Sequence, residues 1–182
     1  MAQFAALLRG VNVGPTTRVP MADLRELLEV FGAQDVKTHL NSGNALFHLH
    51  HSPKTIDAAL TELISERFGF QIDVTCRTKK QLESVIALDP LKKLGEDDSK
   101  YIVAFMPSPP KPAAIKPVLA ADYPAGETCA HKGREFYVFS PRGVAESQAL
   151  KALNKTKPAA FATARNVRTI AKLIELIPPA RK

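Results

Sequence analysis

The residues best suited to chemistry lie in two polar loops, each of which follows an apolar segment. The first loop contains Arg9, Asn12 and Arg18, and begins inside the stretch LLRGVNVG of residues 7–14. The second is the turn Asn41-Ser42-Gly43-Asn44. Guanidinium groups, amides, hydroxyls and backbone N–H groups in turns are the donors that bind anions. We therefore predict a binding edge for a small anionic ligand, formed by Arg9, Asn12, Arg18, Ser42 and Asn44.

A further candidate group, TARN at residues 163–166, precedes the last predicted helix. The guanidinium of Arg165 and the N–H groups of a helix start could together bind an anion. Thr163 and Asn166 are also common N-cap residues. Two interpretations therefore stay open, capping alone or an added contribution of Arg165 and Asn166 to ligand binding.

The residues of the two loops also have a purely structural interpretation. Asn12, Ser42 and Asn44 are residue types that satisfy backbone groups in turns. An arginine at the end of a buried strand, such as Arg9, needs an anionic ligand or a carboxylate, for which Asp23 or Glu26 would serve. The sequence leaves both interpretations open.

No set of residues predicts a reaction, so the catalytic residues are unknown. The sequence lacks the nucleophile elbow, the phosphate-binding loop, the dinucleotide fingerprint and the paired-histidine zinc motif. An enzyme that uses the same edge with a base such as His39 or Asp23 is one alternative. His39, His48 and His50 share a predicted strand face with Asp35, but without tight ligand spacing. We therefore predict no metal and no cofactor.

The spacing of apolar residues predicts the elements that position the loops. It gives a strand over residues 3–9, a helix over 21–31, paired strands over 35–41 and 44–49, a helix over 56–68 and a strand over 72–77. This order is that of a ferredoxin-like split βαβ unit. The first two strands of such a unit run parallel. The loops of residues 9–18 and 41–44 should therefore emerge at the same edge of the sheet.

The two paired strands alternate around a predicted two-residue turn at Ser42-Gly43. Pairing Asn41 with Asn44 puts six residues on the core face: Val36, Thr38, Leu40, Ala45, Phe47 and Leu49. The opposite face contains the histidines and is polar enough to meet water or a partner.

A similar series follows in the second half of the chain. Thr78 is expected to cap a helix that ends near Leu88, and residues 90–99 are typical of a linker. The pattern then gives a strand over 101–106, a helix over 115–121, strands over 127–131 and 135–140, a helix from Ser140-Pro141 to 153, a strand over 159–162 and a helix over 166–177. We predict an α+β fold of two ferredoxin-like (split βαβ) subdomains with antiparallel sheets, the second truncated or distorted. The predicted boundaries are 1–78, 79–99 for helix and linker, and 100–182.

The positive charge of the chain lies in its second half. Residues 1–99 hold 11 basic and 13 acidic side chains, a net charge of −2, whereas residues 100–182 hold 14 and 5, a net charge of +9. This asymmetry is typical either of an anionic partner or of a solubilising surface. The alternative function is RNA or DNA binding through six basic residues: Lys151, Lys155, Lys157, Arg165, Arg168 and Lys172. Against it, the predicted central strands lack the stacking aromatics of RNA-recognition modules.

Composition also indicates the compartment. The sequence has no run of about 18 apolar residues, and its first ten residues, MAQFAALLRG, lack a basic segment and a cleavage site. We therefore expect a cytoplasmic protein without a membrane partner. Cys76 and Cys129 are predicted to be small buried residues on strands. A disulfide between them is the less favoured alternative, because a reducing compartment opposes it.

Four ordered motifs resemble the bacterial domain-of-unknown-function 1697 family. They are LLRGVNVG at 7–14, VPMADLRELL at 19–28, VKTHLNSGNALF at 36–47 and TARNVRTIAKL at 163–173. The resemblance spans nearly the whole chain. It implies an α+β protein of two ferredoxin-like subdomains, and it supplies no established activity.

Overall fold

The structure is a computed structural model that describes residues 1–50, 53–88, 90–91, 97–156 and 162–179, with residues 53–55 described by their backbone alone. Residues 92–96, half of the predicted linker at 90–99, therefore lie outside the described residues. The chain divides into two compact units. Unit 1 comprises Met1–Glu83 with Lys172–Lys182, and unit 2 comprises Ser84–Ala171.

Unit 1 contains one four-stranded antiparallel sheet with helices in the predicted order. Its elements are β1 (Ala2–Leu8), α1 (Met21–Val30), β2 (Gln34–His39), β3 (Asn44–Leu49), α2 (Pro53–Phe68) and β4 (Val74–Thr78). The strands lie in the order β2-β3-β1-β4. Because β3 is antiparallel to both β1 and β2, β1 and β2 run in the same direction. This is the ferredoxin-like arrangement that the sequence predicts.

The core of unit 1 lies between the sheet and its helices. Phe4, Ala6 and Leu8 of β1 face it, together with Phe47 of β3. The rings of Phe4 and Phe47 lie 6.0 Å apart. The alternate residues of β1, such as Leu7, are also buried. The continuous apolar sequence of β1 therefore reflects burial on both faces, as expected for a central strand.

The register of the β2–β3 hairpin differs from the prediction by two residues. Asn44 pairs with His39 rather than with Asn41, and the turn comprises residues 40–43. Leu40, expected in the core, is 57% exposed and has a φ of 58°. A shift of two residues keeps the side chains that remain in the strands on their predicted faces, and only Leu40, now in the turn, leaves the core face. Ala45, Phe47 and Leu49 therefore still belong to the core.

The face of this hairpin that was expected to meet water is buried on β3. Asn44, Leu46 and His48 all have 0% exposure. All six residues of β3 are buried, so both of its faces are covered, whereas β2 at one edge of the sheet is partly exposed.

Helix boundaries agree with the capping signals in the first unit. Pro20 precedes α1 as its N-cap, and Gly32 follows the helix with a φ of 97°. Helix α3 (Lys79–Ala87) follows β4 directly. Thr78 accepts a hydrogen bond from the N–H of Gln81, whose side chain in turn accepts from the N–H of Thr78. This reciprocal pair is a capping box, and it confirms the predicted helix start.

Unit 2 repeats the topology with all four strands. Its elements are β5 (Tyr101–Phe105), α4 (Pro112–Ala120), β6 (Thr128–Lys132), β7 (Glu135–Phe139), α5 (Gln148–Leu153) and β8 (Thr163–Asn166), followed by α6 (Val167–Leu176). The order β6-β7-β5-β8 matches that of unit 1 strand for strand. The predicted shortening is largest in the second helix, since α5 has 6 residues and α2 has 16.

Two element predictions in unit 2 are wrong. Helix α5 begins at Gln148 instead of Ser140-Pro141, because Ser147 accepts a hydrogen bond from the N–H of Leu150 and caps the helix there. The last strand of the sheet is β8, which pairs with β5, instead of residues 159–162. Of those four residues only Ala162 lies within the described part of the chain.

Within the residues described, no helix combines the length and the apolar character that a membrane crossing requires.

Candidate functional site

The two polar loops of unit 1 lie side by side, as the common direction of β1 and β2 predicts. The N–H of Leu8 donates to the carbonyl of Gly43 at 2.8 Å. The side-chain amide of Asn12 donates to the carbonyl of Asn41 at 2.6 Å. The 40–43 turn is therefore fixed both to the end of β1 and to the 9–18 loop.

Asn12 holds this arrangement together. Its Nδ2 also donates to the carbonyl of Val19 at 3.0 Å, and its Oδ1 accepts from the N–H of Val19 at 2.9 Å. With the bond to Asn41, both amide hydrogens and the oxygen are engaged by backbone. Asn12 has a φ of 56°, which asparagine tolerates better than most residues. Its side chain therefore positions the loop in front of α1 and has little capacity left for a ligand.

Gly43 permits the close approach of the turn to β1. Its φ is +76°, and a Cβ added there would lie 2.6 Å from Cγ2 of Val11 and 2.7 Å from Cβ of Leu8. Both distances are shorter than a carbon–carbon contact allows. The position therefore requires glycine for backbone conformation and for space.

An open cavity of about 560 Å³ lies between the loop and the start of α1. We call it the loop cavity. Its lining residues are Asn12, Val13, Gly14, Pro15, Arg18, Val19, Pro20, Met21 and Asn41. The lining thus combines one charged side chain with amide groups and several apolar side chains.

Arg18 is the cation of the loop cavity. It is exposed, and among the described residues no hydrogen bond or ion pair is formed by its guanidinium. Arg9 differs from Arg18 in its contacts and in its position. Its Nη1 lies 3.3 Å from Oδ2 of Asp73, and it does not line the cavity. Of the two arginines in the loop, Arg18 is the one available to a ligand.

The ion pair of Arg9 corrects the partners named from the sequence. Arg9 pairs with Asp73 instead of Asp23 or Glu26, and its backbone N–H donates to the carbonyl of Asp73 at 2.9 Å. Asp23 lies 4.0 Å from Arg67. Asp73 is 64 positions away from Arg9 and lies just before β4, the strand that pairs with β1, so only the sheet brings the two together.

The two residues predicted in the second loop are bonded to each other. Ser42 is exposed at the turn, and its Oγ accepts from Nδ2 of Asn44 at 3.1 Å. Asn44 has 0% exposure and also donates to the carbonyl of His39. Neither residue lines the loop cavity. Their contacts support the turn structure.

Arg165 and Asn166 belong to unit 2, at the end of β8. Arg165 is partly buried, and its Nη1 donates to Oγ1 of Thr163 and to the carbonyl of Ala164, each at 2.8 Å. Burial lowers the pKa of Arg165 to about 10, so it remains charged at neutral pH. Asn166 caps α6 by accepting from the N–H of Thr169 at 2.7 Å. Of the two capping residues considered, Asn166 has that role and Thr163 lies within the strand.

Among the described residues the histidines form no cluster with one another, and His48 is paired with Asp35. Nδ1 of His48 lies 3.0 Å from Oδ2 of Asp35, at the β-bulge of β2. His39 is partly buried and His50 is exposed. No group of three or more metal-ligating side chains occurs in the ranges described. Neither His39 nor Asp23, the bases considered from sequence, lines the loop cavity.

The six basic residues considered for nucleic-acid binding do not form one set. Lys157 lies outside the described residues, and Arg165 is bonded to its own strand. Lys172 belongs to unit 1 and lies 2.8 Å from Glu175. Lys151, Lys155 and Arg168 are exposed in unit 2. Of the five aromatic residues of β5 and β7, four are buried and Phe139 is partly buried, whereas RNA-recognition modules expose such residues for stacking.

Both cysteines are unpaired and poorly suited to nucleophilic chemistry. Burial, followed by the charge of Asp57, raises the pKa of Cys76 well above its usual value. Burial, with a contribution from Glu127, raises the pKa of Cys129 to about 11. The thiolate is the reactive form. Cys76 is a buried packing residue, as predicted, whereas Cys129 packs against the core but is only partly buried.

Three contributors to the site were not singled out from the sequence. The side chains of Val13 and Pro15 have no polar group that would suggest ligand binding. Met21 belongs to the apolar face of α1, which predicts a packing role. The available signal was position, because Val13 and Pro15 lie in the 9–18 loop and Met21 begins the helix that follows it.

Comparisons with known proteins agree with this architecture. A sequence model of the family described as "Protein of unknown function (DUF1697)" matches residues 1–137, which include both loops. The fold is similar to that of a conserved bacterial protein from Streptococcus pneumoniae, with a TM-score of 0.76 and 22% sequence identity over 97% of this chain and 98% of that one. No curated protein matches the chain.

Proposed function

The chain belongs to the family of proteins of unknown function DUF1697, and because that description assigns no activity, we propose from the geometry that the protein binds a small anionic ligand in the loop cavity. The observation that supports the proposal most strongly is the position of Arg18, which is exposed and lines the cavity. Among the described residues that line the cavity, it alone bears a charge. A guanidinium can donate two parallel hydrogen bonds to a carboxylate or phosphate.

The start of α1 supports the same choice of ligand. Pro20 supplies no side-chain hydrogen bond to the first turn, so the N–H groups there are not capped by their own N-cap residue. Free N–H groups and the helix dipole favour an anion at this end. Asp23 in the first turn opposes that effect, and Arg67, 4.0 Å from Asp23, offsets part of its charge.

The fixed scaffold around Arg18 supports binding without large rearrangement. Asn12 joins the loop to Val19 on one side and to Asn41 on the other. The ligand would meet a loop whose backbone is already ordered, which lowers the entropy cost of association.

Isothermal titration calorimetry with inorganic phosphate, at low ionic strength, tests the proposal. We expect Arg18→Gln to weaken binding at least about tenfold, the effect of losing one charge-assisted contact. Arg9→Gln is the matched control from the same loop. It should bind phosphate as the wild type does, because Arg9 is engaged by Asp73. Equal binding by the wild type and Arg18→Gln would overturn the proposal.

The proposal assigns this binding to the bacterial cytoplasm. The two unpaired cysteines support a reducing compartment. No reaction is proposed, because none of the bases considered lines the loop cavity.

A further inference from the structure

We infer that the anion taken by the loop cavity carries an apolar group, so that the ligand is a carboxylate or a phosphate monoester attached to an aromatic or branched aliphatic body. This inference rests on the proposed function and names its ligand class. It comes from three features of the cavity: its apolar lining, its size and its single charge.

Part of the apolar lining is exposed to solvent, whereas Met21 is partly buried against the core of unit 1. Val13 is 81% exposed in the loop, and Pro15, Pro20 and Met21 also line the cavity. Leu40, directly before the lining residue Asn41, is 57% exposed. Isolated exposed apolar residues are ordinary, but several of them around one cavity are typical of a binding surface.

The size of the loop cavity exceeds what an inorganic anion needs. Its volume of about 560 Å³ falls in the range of about 300–1,000 Å³ that is usual for sites of organic ligands. A phosphate or acetate ion bound to Arg18 would leave most of this space, and most of the apolar lining, in contact with water.

The charge of the lining limits the head group. One guanidinium suits one carboxylate or one terminal phosphate. A di- or triphosphate would bring several negative charges to a cavity whose described lining holds a single cation. The geometry therefore favours one anionic group next to an apolar body.

Phenyl phosphate, inorganic phosphate and phenol are suitable probes, because they carry both parts of the ligand, the anion alone and the ring alone. We expect phenyl phosphate to bind at least about tenfold more tightly than inorganic phosphate, the gain from burying part of the ring. Phenol should bind much more weakly than phenyl phosphate. Calorimetry or ligand-detected NMR measures all three affinities.

Two matched variants locate the apolar contact. Val13→Ser removes an exposed cavity residue, and Val30→Ser removes a residue of nearly equal exposure, 82%, that does not line the cavity. Val13→Ser should reduce the preference for phenyl phosphate about threefold or more and leave inorganic phosphate unchanged. Val30→Ser should change neither affinity.

The outcomes separate this inference from the proposed function. If inorganic phosphate binds in an Arg18-dependent way and phenyl phosphate binds no better, the ligand class is wrong and the anion site stands. If phenyl phosphate binds better but Val13→Ser and Val30→Ser behave alike, the apolar contact lies elsewhere and the inference is overturned. If phenol binds as tightly as phenyl phosphate, or Arg18→Gln changes no affinity, the proposed anion site itself is overturned.

Discussion

Replacing Gly43 by alanine should destabilise the protein through two separate effects. The first is backbone strain, because Gly43 has a φ of +76° and an L-residue in the left-handed region costs about 1–2 kcal/mol. The second is steric overlap. The new Cβ would lie 2.6 Å from Cγ2 of Val11 and 2.7 Å from Cβ of Leu8, and relieving overlap in a packed site costs about 1–3 kcal/mol.

Gly10→Ala provides the matched control in the neighbouring loop. Gly10 has a φ of +65°, and the Cβ of an alanine there would meet no atom of another part of the chain within 4 Å. It should therefore show the strain of about 1–2 kcal/mol alone. The difference between the two variants isolates the close approach of the turn to β1.

Thermal denaturation followed by circular dichroism, with urea denaturation for the free energy of unfolding, measures both variants. We expect Gly43→Ala to lose about 2–5 kcal/mol in total, and its Tm to fall below that of Gly10→Ala by roughly 2–12 °C, at about 2–4 °C per kcal/mol for a chain of this size. Equal stability of the two variants would refute the packing of the turn against Leu8 and Val11, and with it the geometry of the loop cavity.

Three further predictions concern other parts of the molecule. Asn12→Ala should cost about 2–4 kcal/mol in urea denaturation, because backbone groups including the carbonyl of Asn41 lose their partner; a loss under about 0.5 kcal/mol would contradict its bridging role. Glu127→Gln should cost about 1–3 kcal/mol, because its buried carboxylate accepts from the N–H of Ala149 at 2.5 Å and from two serine hydroxyls; an unchanged unfolding midpoint would count against it. Cys129, with its pKa raised to about 11, should react with iodoacetamide slowly up to about pH 9 and faster as the pH approaches its pKa, and rapid alkylation at neutral pH would disprove that assignment.

The topology could be predicted because its signals are local. Apolar spacing identified nearly every strand and helix, and the order strand, helix, strand, strand, helix, strand has few compact solutions. The position of the two loops at one sheet edge follows from that order. The bond between the N–H of Leu8 and the carbonyl of Gly43 is its direct consequence.

Register could not be predicted, because it depends on backbone conformations that side-chain patterns do not encode. Apart from Leu40, a two-residue turn and the observed turn at 40–43 leave the same side chains on the core face. The distinction lies in the positive φ of Leu40 and in the bulge between Gln34 and Lys37. Leucine gives no signal for a left-handed conformation, so Leu40 was expected in the core.

The sequence predicted the residue types of the candidate site but not which of them are free to bind a ligand. That distinction depends on contacts between residues far apart in the chain. Arg9 and Arg18 have the same residue type and lie in the same loop. The contact of Arg9 with Asp73 distinguishes them, and it depends on the pairing of β1 with β4 rather than on any local motif. Similarly, Asn44 is buried because both faces of β3 are covered, which alternation alone does not reveal.

The most direct test of an anion site beside Arg18 is residue-resolved. In ¹H–¹⁵N spectra of the wild-type protein titrated with inorganic phosphate, the amide signals of Val13, Gly14 and Val19 should shift and saturate, and the same titration of Arg18→Gln should leave them unmoved. Shifts confined to unit 2 around Arg165, or identical shifts in the wild type and Arg18→Gln, would contradict the account.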